Sequence, residues 1–192
     1  FMGMGEPMMN IENVLESCEK LPDIGVTNRR TTVSTVGWIP GMKKFLAQDR
    51  PIRLAISLHA ADPELRSQIM PVNDRYPLPE VLKLCVKHWR DTNRKVFIEY
   101  VMLAGVNDHT KHAEQLAAIL KPREVFKVNL IPYNPTGTGY DGSGRTTIGA
   151  FRDVLQRAGV PATVRLTRGR DIAAACGQLA ADSETTDAAA LS

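Results

Sequence analysis

The chain has 192 residues, 43% hydrophobic and 23% charged, with a formal net charge of +3. That is enough for one domain with a buried core, and its mildly basic balance permits a nucleic-acid partner without requiring one. Three widely spaced cysteines, Cys18, Cys85 and Cys176, exclude a disulfide framework and a CxxC or zinc pattern, and no apolar run reaches membrane-spanning length, so the expectation is a cytoplasmic protein with no membrane partner and no signal peptide.

Phe1–Met4 reads as the end of a buried strand running into Gly5–Glu6–Pro7. Ile11, Val14, Leu15, Cys18 and Leu21 recur at helical spacing and predict an amphipathic helix over Asn10–Leu21, with Cys18 on the packed stripe. The β-branched run Thr31–Thr35 predicts a strand, and Pro40–Leu46 a short helix. Arg53–Ser57 predicts a second strand, followed by Asp62 as a cap and Pro63 in the first turn of a helix to about Met70. Pro71–Pro77 is expected to be a loop, and Pro79–Arg90 a helix that buries Cys85. Lys95–Met102 predicts a third strand, Leu103–Asp108 its loop, Thr110–Leu120 a helix and Val125–Ile131 a strand ending at Asn134–Pro135. Thr136–Arg145 is glycine-rich and expected to be a loop, Ile148–Arg157 a helix and Ala162–Leu166 the last strand. Thr167–Arg170 then reads as a turn and Asp171 as an N-cap for Ile172–Leu179, with Ala181–Ser192 a disordered tail.

Strand and helix alternate throughout, which argues for a parallel sheet with helices packed outside. Gly5, Glu6, Ser34, Ser57, Leu58, His59 and Asn134 all fall just after strand ends, and in barrel-like α/β folds those ends form the ligand-binding rim. Cys176 lies among small residues near Arg165, Arg168 and Arg170, and neighbouring cations favour the nucleophilic thiolate. Read locally, a free cysteine among alanines is usually a small buried hydrophobe.

The segments FMGMGEP, TVSTVG, LAISLHA, IEYVMLAGVND, NLIPYNP and VRxTRGxDIxAACGQL occur in this order over Phe1–Ala180. Together they resemble the radical S-adenosylmethionine (SAM) enzymes that methylate adenine C2 in 23S ribosomal RNA and in certain tRNAs. The resemblance implies an α/β fold: a partial radical-SAM-type (β/α)6 barrel over residues 1–180, with the first strand and the N-terminal domain missing. It implies that Gly5 and Glu6 bind SAM, Glu6 receiving the methionine ammonium. Ser34, Ser57, Leu58, His59 and Asn134 are implied as further SAM contacts.

Cys176 is implied as the cysteine that first accepts a methyl group. A radical derived from a second SAM then activates this group, which is joined to the base, and a second cysteine releases the product through a disulfide. Arg168 and Arg170 are expected to contact RNA phosphates. The implied cofactors are SAM and a 4Fe-4S cluster, and the partners 23S rRNA, tRNA and an external electron donor, with the enzyme a monomer. The family's CxxxCxxC motif is absent, and Cys18, Cys85 and Cys176 cannot replace it. The cluster ligands are therefore expected upstream of Phe1, and the chain is expected to be a fragment that does not catalyse by itself. Three alternatives stay open: a related adenine C8 methyltransferase, a non-catalytic RNA-binding module, and a small-molecule barrel enzyme, although Thr136–Gly144 lacks a clear phosphate pattern.

Overall fold

Short apolar, β-branched runs alternate with amphipathic helices, and parallel neighbours of this kind must be joined by long crossovers. The computed structural model describes residues 1, 5–134 and 139–165. Its five strands are β1 (Thr32–Thr35), β2 (Arg53–Ser57), β3 (Val96–Met102), β4 (Phe126–Pro132) and β5 (Ala162–Val164). They form one parallel sheet in the order β1-β2-β3-β4-β5. Helix α1 (Ile11–Lys20) precedes β1. The crossovers are α2 (Ile39–Ala47), then α3 (Pro63–Ile69), α4 (Val72–Arg75) and α5 (Leu78–Thr92), then α6 (Thr110–Ile119), and lastly α7 (Arg145–Arg157). Phe1 continues the sheet beside β1: the Ser34 N–H donates to its carbonyl at 3.2 Å. This is the expected α/β architecture, an open set of parallel strands rather than a closed barrel among the described residues.

Side chains alternate across each strand. Val33, Leu54, Ile56, Ile98, Tyr100, Val128 and Leu130 face the helices and are fully buried. The helices answer with stripes three or four residues apart: Ile11, Val14 and Cys18 on α1; Leu78, Val81 and Cys85 on α5; Ile148, Phe151 and Leu155 on α7. Both cysteines pack as expected. The sheet's other face is more polar, and Ser57, Glu99, Asn129 and Thr163 lie in register across β2 to β5.

Several boundaries differ from the sequence reading. The expected loop Pro71–Pro77 contains the one-turn helix α4, because the buried Asn73 side chain anchors it. Asn73 Nδ2 donates to the Pro63 carbonyl and Ser67 Oγ, and Asn73 Oδ1 accepts from Arg66. Helix α7 begins at Arg145, one turn before the first apolar residue of its stripe. Asp62 caps α3 as expected, its Oδ1 accepting from the Leu65 N–H at 2.9 Å. Strand β5 ends at Val164, and the expected turn, helix and tail beyond it lie outside the described residues.

Candidate functional site

Glu6, Ser34, Ser57 and His59, four of the polar residues expected at the strand ends, converge on one cavity of about 630 Å³. Gly5, Glu6, Ser34, Ser57 and His59 line it, together with Glu99 and the apolar Val36, Val101 and Ile131. This volume suits a small organic ligand, and a few polar groups set among apolar walls are what fixes such a ligand's orientation.

Glu6 enters from the loop before the 3₁₀ turn Pro7–Asn10. Gly5, with φ of 84°, takes the left-handed conformation that brings the chain into this turn. Glu6 Oε1 accepts from the Met8 N–H at 2.9 Å and Oε2 from the Val36 N–H at 2.8 Å. Both bonds fix the side chain in place and leave lone pairs free. The turn itself sits hard against α2, because a Cβ at Gly41 would stand 1.9 Å from the Met8 carbonyl oxygen. Ser34 and Ser57 on neighbouring strands bring their hydroxyl oxygens to 3.3 Å.

His59 has φ of 59°, a left-handed conformation uncommon for a residue with a side chain. Two contacts hold it. Its Nδ1 accepts from the Val101 N–H at 3.1 Å, and the Asn107 amide donates to its carbonyl at 2.8 Å. A backbone N–H can only donate, so Nδ1 carries no proton and the neutral ring keeps Nε2–H as a donor. Burial, with the Arg66 charge nearby, lowers the His59 pKa to about 4.

Two fully buried side chains brace these loops. Asn107 also donates to the Val101 carbonyl at 2.8 Å and accepts from the Leu103 N–H at 2.8 Å. Arg66 donates to the Leu58 carbonyl, the Val36 carbonyl and Asn73 Oδ1, so one guanidinium ties the loops after β1 and β2 together. Burial lowers its pKa to about 10. The sequence reading missed both. The turn residue Asn107 was legible only as a turn, and Arg66 looked like any polar residue on a short helix.

Of the expected ligand contacts, two are not among the described residues lining the cavity. The Leu58 side chain is fully buried in the core cluster because it alternates with Ser57, so its backbone serves the loop, donating to the Glu99 carbonyl at 3.0 Å. Asn134 follows β4 and is buried, but is not among the described residues lining the cavity. Cys176, Arg168 and Arg170 lie outside the described residues. The sequence reading also missed Glu99, Asn129 and Thr163. A glutamate in the middle of the apolar run VFIEYVM was the available signal, since charged residues are seldom placed inside without a purpose.

The groups in the cavity fit SAM. Glu6 can accept from an ammonium, Ser34, Ser57 and His59 can bond ribose or carboxylate oxygens, and Val36, Val101 and Ile131 can flank a base. The described residues do not fit an iron–sulfur cluster. Cys18 and Cys85 are fully buried on separate helices, and burial pushes both thiols up, Cys85 to about 12. Among the described residues no group of three His, Cys, Asp or Glu side chains could hold a metal ion, and no helix is long and apolar enough to cross a membrane.

No family model matches the chain. Curated relatives do. A protein of Desulfotalea psychrophila named dual-specificity RNA methyltransferase RlmN is 47% identical over 97% of this chain and 52% of its own length. Probable RlmN proteins of Moorella thermoacetica and Parafrankia sp. are 44% and 46% identical, over 93% and 95% of the chain and 51% and 49% of their own lengths. The chain thus spans about half the length of the curated relatives it matches. Among solved structures, a radical SAM methyltransferase from Sphaerobacter thermophilus superimposes with a TM-score of 0.88 at 41% identity, over 93% of this chain and 53% of that one. A domain of a pyruvate-formate lyase-activating enzyme from Bacteroides vulgatus shares the fold at 19% identity, with a TM-score of 0.65 over 86% of this chain and 97% of that one. By sequence and by fold, the chain is similar to about half the length of proteins named RNA methyltransferases and of a solved radical SAM methyltransferase.

Proposed function

We propose that the protein containing this chain transfers a methyl group from SAM to C2 of an adenine in 23S rRNA, and in tRNA. The observation that carries the reading is the convergence of Glu6, Ser34, Ser57 and His59 on one cavity, in a chain 44–47% identical to proteins named dual-specificity RNA methyltransferases. Glu6 receives the cofactor's ammonium on the lone pairs that Met8 and Val36 leave free. Ser34 and Ser57 take the ribose or carboxylate oxygens, His59 donates from Nε2, and the Asn134 amide completes the polar contacts. Val101 and Ile131 flank the base and keep water away from it. When bound, the cofactor supplies the methyl group and the radical chemistry that a poorly nucleophilic ring carbon requires.

Cys176 carries the one-carbon unit as S-methylcysteine, and Arg168 and Arg170 hold RNA phosphates beside it. The electron donor is external, the 4Fe-4S ligands come from residues other than those described here, and the enzyme works as a cytoplasmic monomer. Adenine C2 can be reached only in an unpaired or flipped nucleotide, so the substrate is a single-stranded segment.

The test is mass spectrometry of rRNA and tRNA from cells whose own C2 methyltransferase is deleted and replaced by the complete gene. C2-methyladenosine is expected with the unsubstituted gene and none with Cys176→Ala. A C8-methyl product, or full product from Cys176→Ala, overturns the reading.

A further inference from the structure

The register of the sheet places a row of polar side chains on its cavity face. Ser57 pairs with Glu99, Glu99 with Asn129 and Asn129 with Thr163, one residue from each of four strands. Three of them are linked. The Thr163 hydroxyl donates to Asn129 Oδ1 at 2.8 Å, and Asn129 Nδ2 donates to Glu99 Oε1 at 2.9 Å. In this arrangement the Asn129 amide turns its nitrogen toward Glu99, and an amide nitrogen can only donate, so Glu99 serves as the acceptor.

Glu99 is 6% exposed and lines the cavity. Among the described residues, the neutral Asn129 amide is the side-chain hydrogen-bond partner shown for its carboxylate, and no cation lies within ion-pair distance. Glu6 differs, since two backbone N–H groups support it. Burial pushes the Glu99 carboxyl above its ordinary value, against the Asn129 bond and the Arg165 charge, which pull it down. A buried carboxylate so thinly supported is costly unless a positive charge arrives with a ligand.

We propose that Glu99 is a specificity-determining residue of the cavity: its carboxylate, aimed by Asn129 and Thr163, supplies the counter-charge for the sulfonium of SAM. The inference rests on the SAM reading above and deepens it. Its consequence is discrimination by charge. SAM carries a sulfonium, whereas the demethylated thioether S-adenosylhomocysteine has the same ammonium, carboxylate, ribose and base without that charge. Glu99 therefore favours the methyl-bearing cofactor over its spent form.

The test is calorimetric titration of the complete gene product with SAM, with S-adenosylhomocysteine and with sinefungin, which carries a protonated amine where SAM carries the sulfonium. The unsubstituted protein is expected to bind SAM and sinefungin at least about tenfold more tightly than the thioether. In Glu99→Gln, which keeps the size and can still accept from Asn129, affinity for the two cationic ligands falls by about 10- to 100-fold, the lower part of the range for close charge pairs, and thioether affinity stays within about twofold. Glu99→Asp keeps the preference for cations. Equal loss for all three ligands, or no loss for any, overturns the assignment. So does a SAM-to-thioether ratio near one in the unsubstituted protein, a result that does not depend on any variant folding. Failure of the unsubstituted protein to bind SAM at all overturns the cofactor reading, and this assignment with it, which distinguishes it from equal binding by wild type and variant.

Discussion

Replacing Asn107 by alanine should cost the fold about 3–5 kcal/mol. The Asn107 side chain is fully buried and makes three hydrogen bonds, all to backbone: it accepts from the Leu103 N–H and donates to the His59 and Val101 carbonyls. At about 1 kcal/mol net for each bond, the loss is already about 3 kcal/mol. An unsatisfied buried polar group costs about 1–3 kcal/mol, so incomplete access of water to the three orphaned groups raises the total toward 5. That is a large share of the roughly 5–15 kcal/mol that holds a typical domain together. The substitution also frees His59, whose left-handed conformation depends on the bond to its carbonyl, so ligand affinity in the cavity should fall as well. Urea denaturation followed by circular dichroism, on the complete gene product and the variant, measures the cost. A loss below about 1 kcal/mol would show that Asn107 does not brace the loop after β2 and would refute the reasoning.

Three further outcomes are expected. Gly41→Ala should destabilise by about 3 kcal/mol, the upper end for overpacking, because the obstructing Met8 atom belongs to the backbone; a thermal melt unchanged from wild type would contradict the close seating of the Glu6 turn on α2. His59 stays neutral down to about pH 4 in the fold but takes a proton near 6.5 when unfolded, so the unfolded state binds more protons in that window. Stability from this residue is intact above pH 6.5 and falls, by at most about 3 kcal/mol, as pH drops toward 4. His59→Gln should flatten the fall, leaving the smaller slope of His88 and His112, which are shifted the same way; an identical slope would contradict it. Cys18 and Cys85, buried with raised pKa values, should resist alkylation at pH 8 until the protein is denatured, as read by peptide mass spectrometry. Rapid native labelling of either would contradict their packing.

The order of strands and helices was legible because each carries its own period: Val33, Ile56 and Ile98 sit in apolar runs, while Val81 and Cys85 recur along a stripe. The placing of Glu6, Ser34, Ser57 and His59 at one rim was legible for a related reason, since parallel strands all end on the same side. What the sequence did not display is tertiary. Arg66 acts through carbonyls from two loops, and the sequence around it carries no mark of that. The relay from Thr163 through Asn129 to Glu99 exists only once β3, β4 and β5 are in register, which no single strand encodes. Leu58 belongs to the same motif, and strand alternation from Ser57 turns its side chain into the core, so a contact with the ligand there falls to its backbone.

The account depends on the cavity between β1 and β4 being where SAM binds. A crystal structure of the complete gene product grown with SAM tests this most directly. The account predicts the cofactor's ammonium at Glu6, its ribose or carboxylate oxygens at Ser34 and Ser57, and its sulfonium facing Glu99. SAM bound elsewhere, with these side chains turned away from it, would contradict it.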